Sequence, residues 1–365
     1  MQKYDPSLEA PYDLTTYFGR LKHFQNISNQ RRYFYSDDYL MEQRQILKDF
    51  ESGKKTDYTD KQLWEARYFY LGNFHPQTDT LIHKLFRTSG YCIVNAPVIF
   101  CLTFLPPTPV NQIIAQTLNQ TFNFAYNFTN GNKSNKYEYS QLAFSYSMAV
   151  ASAIIGSLGS LALINRLKVS PSAKNIMKKF APYIGVAVAN EANLFFSRIK
   201  DFQQGIKVYD AETKEEIEQN SIEAAKIGFF QTGVSRCVIP IPLFLVPALW
   251  LSFSTKYKLQ PKNIILATAL NTAIGSFSLY LGLTYALAIY PQNVIVKANQ
   301  LEPYFQNLTN KNGKQIEYFT FNKVNFIFLK VLIIQFQNFF ISNMFQLQKM
   351  IHIQNSKKQF LLTII

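Results

Sequence analysis

The chain has 365 residues, with 32 Phe and 22 Tyr, and only 16% of its side chains are charged, against about a quarter in an ordinary soluble domain. Its net charge of +14 is scattered through short loops between apolar runs. That arrangement excludes a nucleic-acid-binding stripe and fits a basic chain beside anionic lipid. Cys92, Cys101 and Cys237 all fall within apolar runs, a pattern with neither a disulfide framework nor metal-ligand spacing.

Mean hydropathy near zero hides a split. Residues 1–90 are polar and charged, and read as a helical N-terminal arm. Residues 91–323 alternate apolar spans with charged loops and read as a membrane domain. The first twenty residues carry Asp5, Glu9 and Asp13 against Lys3 and Arg20, which is neither a secretory signal nor an acid-poor transit peptide. Within the arm, a helical pattern runs from about Asp37 to Phe50. Thr59 and Gln62 have capping-box spacing, opening a second helix through Tyr70. Then comes Phe74-His75-Pro76-Gln77-Thr78-Asp79, a proline-fixed turn. His75, Asp79 and His83 stand at i, i+4 and i+8, a spacing that could bind metal. Pro76 interrupts it, however, so no metal is expected. His75, Pro76 and Thr78 are read as a structural turn fixing the arm against the membrane domain.

About five spans follow: Tyr91 to Leu105 (short for a crossing), Leu142 to Ile164, Phe180 to Phe196, Gly228 to Leu251 and Ile264 to Tyr290. Gly156 and Gly159 mark a helix-packing face. One loop carries Arg166, Lys168, Lys174, Lys178 and Lys179, and another Lys256, Lys258 and Lys262, both without an acid. Counting five crossings puts both loops on the side of the N-terminus, and the positive-inside rule turns that side toward the matrix. Residues 324–365 are apolar and rich in Phe, Ile, Asn and Lys. They could form a sixth span, but their composition is that of translated AT-rich DNA, and an artefact such as a retained intron is the favoured reading.

Between the first two spans lies the most telling stretch, residues 119–132. Read as a helix, Asn119, Asn123 and Asn127 fall at i, i+4 and i+8, with Gln116 and Asn130 extending the face. Phe122 with Tyr126, and Phe124 with Phe128, border it. Such an uncharged amide stripe offers donors and acceptors together, avoids the cost of charge in a membrane, and suits a neutral polar ligand or another helix. Asn190 and Asn193 lie about one turn apart in the third span, after Pro182, and broken helices are where carriers build sites. Glu191 and Arg236 are the acid and base deepest in the spans. They could pair with each other, or Arg236 could hold a ligand carboxylate, or Arg236 could snorkel to the interface. No phosphate loop or nucleophile–base set is present, so no enzyme and no catalytic residue is expected.

The ordered set Gly19-Arg-Leu-Lys-His-Phe24, Leu63-Trp-Glu-Ala-Arg-Tyr-Phe-Tyr70, Phe74-His-Pro-Gln-Thr78, Asn119-Gln-Thr-Phe-Asn123, Val234-Ser-Arg236, Pro291-Gln292 and Tyr318 to Lys323 resembles the sideroflexins. The resemblance implies an all-α, multi-pass carrier of the mitochondrial inner membrane for serine or related small neutral amino acids, supplying one-carbon metabolism, without a cofactor. Substrate-binding candidates are Asn119, Asn123, Asn127, Asn190, Asn193, Ser235 and Arg236. The rival expectation is a scaffold or accessory subunit associating with other inner-membrane proteins. Two departures bear on this. The Asp-Thr-Gly-Glu that usually follows His-Pro is here Gln77-Thr78-Asp79-Thr80, and Glu191 stands where a small or sulfur residue is usual.

Overall fold

The computed structural model describes residues 2–54, 57–130 and 139–323. The arm is built as its capping residues dictate. Helix α1 (Tyr17–Ile27) is capped by Thr16, α2 (Asp37–Glu51) by Ser36, and α3 (Asp60–Asn73) by a complete Thr59/Gln62 capping box. Asp37 and Asp38 sit in the first turn of α2, where the helix dipole favours anions. Leu47, Leu63 and Trp64 bury together, and the Trp64 indole donates to the Gln2 carbonyl at 2.9 Å. The expected turn follows α3: His75 Nδ1 accepts from the backbone N–H groups of Gln77 and Thr78, each at 3.3 Å.

The next stretch, expected as one span, is broken into α4 (Tyr91–Val94) and α5 (Ala96–Thr103). At the break Asn95 turns its amide back onto the Tyr91 carbonyl. The amide-rich segment is α6 (Pro109–Asn130). Then come α7 (Tyr139–Arg166), α8 (Pro171–Lys179), α9 (Ala181–Ser197), α10 (Ile199–Gln204), α11 (Ile222–Val238), α12 (Pro240–Lys256) and α13 (Ile264–Ile289). Among the described residues three helical segments are long and apolar enough to cross a membrane: Tyr146–Arg166, Ile222–Lys256 and Ile264–Ile289. The expected third span, α9, has 17 residues, or about 25 Å. It packs closely on α7, where a Cβ on Gly185 would come within 2.7 Å of the Ala153 carbonyl. Gly156 lies in this contact, whereas Gly159 faces open space.

A three-stranded antiparallel sheet, absent from the sequence reading, caps one end of the otherwise helical fold. Its strands β1 (Tyr209–Asp210), β2 (Asn293–Lys297) and β3 (Tyr318–Asn322) are ordered β1-β3-β2, with Ile295 opposite Thr320. Val294 and Val296 point inward onto Phe305, Phe319 and Phe321. These strands are too short to stand out beside the apolar span that precedes them.

The expected placement of the basic loops is corrected. Arg20 of α1 donates to the carbonyls of Ala288 (2.8 Å) and Ile289 (3.2 Å), the orphan acceptors at the C-terminal end of α13. The Lys256–Lys262 loop precedes the other end of that helix, 26 residues earlier, about 39 Å away. Arg198, after α9, bonds the Lys323 carbonyl beside the sheet, so the Arg166–Lys179 loop also lies at the far end. Helix α6 explains the error. It starts at the basic-loop end, with Gln116 on the Pro182 carbonyl, and finishes at the arm, with Asn130 on the Phe86 carbonyl. It is an extra passage along the bundle that apolarity does not reveal.

Candidate functional site

The amide face of α6 turns inward. Gln112, Gln116, Asn119 and Gln120 are all buried. At the basic-loop end the face is occupied by packing: Ser157 of α7 donates to Gln112 Oε1, and Gln116 Nε2 donates to the Pro182 carbonyl at 3.0 Å. Further along, partners run out. Among the described residues, Gln116 Oε1, Asn119 Nδ2 and Gln120 Nε2 are buried without a hydrogen-bond partner. Asn119 Oδ1 accepts a long 3.4 Å bond from Asn123, whose own Oδ1 accepts from the Tyr91 hydroxyl at 3.0 Å. Tyr91, Phe122 and Tyr126 form a ring cluster beside these amides. The side chain of Asn127 lies outside the described residues. Asn130 is spent on the carbonyls of Phe86 and Tyr126.

A second group forms where α9 meets α11. Asn190 Nδ2 donates to the Arg236 carbonyl at 3.3 Å, and Arg236 Nη1 donates to Asn193 Oδ1 at 3.4 Å. Ser235 is buried and donates to the Gln231 carbonyl of its own helix. Glu191 and Arg236 do not form an ion pair among the described residues. Instead Glu191 Oε1 accepts from the Cys237 thiol at 3.3 Å. Its other oxygen would lie 2.6 Å from a Cβ on Gly233, so the carboxylate in this position uses the space that glycine leaves.

The structure thus brings Asn119 with Asn123, and Asn190 and Asn193 with Arg236. Tyr91, Gln120 and Cys237 are additional members. Gln120 is off the four-residue row that betrays the asparagines, and Tyr91 reads in sequence as the edge of an apolar run. His75 and Thr78 lie in the arm, apart from these amides, and Asp79 there is taken by Arg44 (2.6 Å) and Lys48 (3.5 Å). No cluster of three potential metal-ligating side chains occurs among the described residues.

Comparison with known proteins identifies the family. The sideroflexin family profile matches residues 7–323. Sideroflexin FSF1 of Saccharomyces cerevisiae is 30% identical over 316 residues, covering 86% of this chain and 96% of the relative. Sideroflexin-5 of Homo sapiens is 28% identical over 301 residues (82% and 88%), and human Sideroflexin-3 is 29% identical over 322 residues (87% and 98%). No solved structure matches the chain. With a family match from the arm through the last strand, the chain belongs to the sideroflexin family.

Proposed function

We propose that this sideroflexin carries a small zwitterionic amino acid, serine or a close relative, across the mitochondrial inner membrane. The observation that supports this best is the set of orphan amide atoms on Gln116, Asn119 and Gln120. Each buried unpaired polar group costs about 1–3 kcal/mol, and a neutral ligand bearing both donors and acceptors removes that cost. Arg236, bonded to Asn193 at 3.4 Å, offers its guanidinium to the ligand carboxylate. The packed amide face corresponds to an occluded site, and relative rocking of the spans exposes it to either side. No covalent chemistry is involved, and Asn119, Asn123, Asn190, Asn193 and Arg236 act by binding alone.

A second reading, an inner-membrane scaffold, draws support from Gln112 and Gln116, whose amides bond neighbouring helices. Uptake of radiolabelled serine into liposomes holding the purified full chain separates the two. The carrier reading expects saturable uptake, reduced about tenfold or more by Asn119→Ala and by Arg236→Lys while both variants stay folded. Folded protein that moves none of several neutral amino acids would turn the assignment to the scaffold.

A further inference from the structure

An open cavity of about 1020 Å³ lies away from the amide face, between α4–α5 and α13. Helix α5 is only eight residues long and ends before Pro106-Pro107, which leaves one face of the first half of α13 open, while α12 covers another, where Trp250 donates to Asn271 at 2.9 Å. The cavity wall along α13 runs from Thr268 to Tyr280, about 18 Å of helix, slightly more than the ~15 Å of hydrocarbon in one bilayer leaflet. The lining is mostly apolar, with Phe100, Ala269, Ala273 and Phe277 among it. Beside it Ile264, Ile265 and Leu266 are exposed, so the groove opens on the same face as bare apolar helix.

One part of the lining is different. The Asn29–Arg31 segment lines part of the cavity, and the turn that Asn29 caps (Gln30–Phe34) packs on α4. This sets the segment at the Ile93–Tyr280 end of the groove. Asn29 Oδ1 accepts from the Arg31 N–H at 3.1 Å, fixing the turn. The Arg31 side chain is exposed and makes no ion pair among the described residues. An apolar trough one leaflet long with an unneutralised guanidinium at one end is complementary to an acyl chain with a phosphate at its head.

We propose that this groove holds one anionic phospholipid, its chain along Thr268–Phe277 and its phosphate at Arg31. The site is separate from the amide face, so the proposal stands whether or not the chain carries serine.

The test uses the full chain with benzoylphenylalanine in place of Phe277, reconstituted in phosphatidylcholine vesicles containing phosphatidylglycerol. After irradiation the intact mass is read. The expected product is a single phosphatidylglycerol adduct, enriched over the vesicle composition, and Arg31→Glu lowers that enrichment about tenfold. Mass spectrometry of the unsubstituted chain released from the same vesicles checks the result without the label, and expects one retained phosphatidylglycerol. Adducts in proportion to the bulk lipid overturn the proposal. So does a crosslinked dimer, or an internal crosslink to residues 324–365, either of which would assign the groove to protein.

Discussion

The side-chain amide of Asn190 donates to the main-chain carbonyl of Arg236 at 3.3 Å, and the cause stands four residues later, at Pro240. In a helix the Arg236 carbonyl would accept from the N–H of residue 240, which proline lacks. Asn190 supplies the missing donor from another helix and so locks α9 to the junction of α11 and α12. Asn190→Leu is expected to cost about 1–3 kcal/mol through the orphaned carbonyl. Pro240→Ala restores a main-chain donor, and in that background the same change costs less, with a coupling of about 1 kcal/mol. Unfolding in detergent of the two single variants and the double variant measures this. Equal costs in both backgrounds would show that the Asn190 bond does not serve the proline-freed carbonyl.

The neighbouring Asn119 and Asn123 were legible in sequence because their period is local, and so were the Thr59 cap and the His75 turn. The Asn190–Arg236 bond was not. Pro240 announces a free carbonyl, but only the fold says which donor answers it. The sidedness of the loops was misread for a related reason. A helix whose polar face is buried against its neighbours, as in α6, looks like a loop to any measure of summed apolarity. The Tyr91–Leu105 run, apolar on average, is broken at Asn95 and so does not form one span. The strands escaped because β2 and β3 pair across about twenty intervening residues, a relation that no local pattern carries.

Asn119 tests whether orphan amides are kept for function rather than stability. Among the described residues its Nδ2 has no partner, so Asn119→Leu, of similar size, removes an unsatisfied donor and sacrifices the long bond from Asn123. The ligand-free protein should lose no stability and could gain about 1 kcal/mol, while serine uptake falls. A thermal shift series with and without serine reads both effects. A variant that unfolds markedly earlier would make Asn119 a packing residue.

Arg20 on the Ala288 and Ile289 carbonyls sets the arm beside the sheet and opposite the basic loops. Single cysteines replacing Ser7, Lys311 and Asn175, in a background free of other cysteines, should divide accordingly under a membrane-impermeant maleimide. Ser7→Cys and Lys311→Cys react from one side, and Asn175→Cys from the other. Labelling of Ser7→Cys and Asn175→Cys from the same side would refute the extra passage along α6.

Asp79 holds φ +54°, a left-handed conformation that favours glycine, and its carboxylate is held by Arg44 and Lys48. Two effects therefore oppose each other in Asp79→Gly: relief of the left-handed backbone, worth about 1 kcal/mol, and loss of a partly exposed ion pair, worth no more than about that. The variant should be near neutral. Asp79→Ala loses the pair and keeps a Cβ at positive φ, so it should be less stable than the glycine variant by about 1 kcal/mol. Chemical unfolding of the arm ranks the two, and alanine at or above glycine would exclude backbone strain at this turn.

His23 gives the arm a dependence on pH. It is buried in α1 beside Tyr68, with Nδ1 unpartnered among the described residues. Burial, and after it the Arg67 guanidinium, lowers its pKa from 6.5 to about 4. The unfolded chain therefore takes up the proton first as pH falls, and binds more protons than the folded arm between pH 6.5 and about 4. Stability is complete above pH 6.5 and declines across that window, by up to about 3 kcal/mol from this residue. Carboxylates titrate in the same range, so the readout is a difference. Thermal unfolding at pH 7 and pH 4.5 should show a larger drop for the native chain than for His23→Gln. Equal drops would mean that His23 is already protonated in the folded arm or reaches water there.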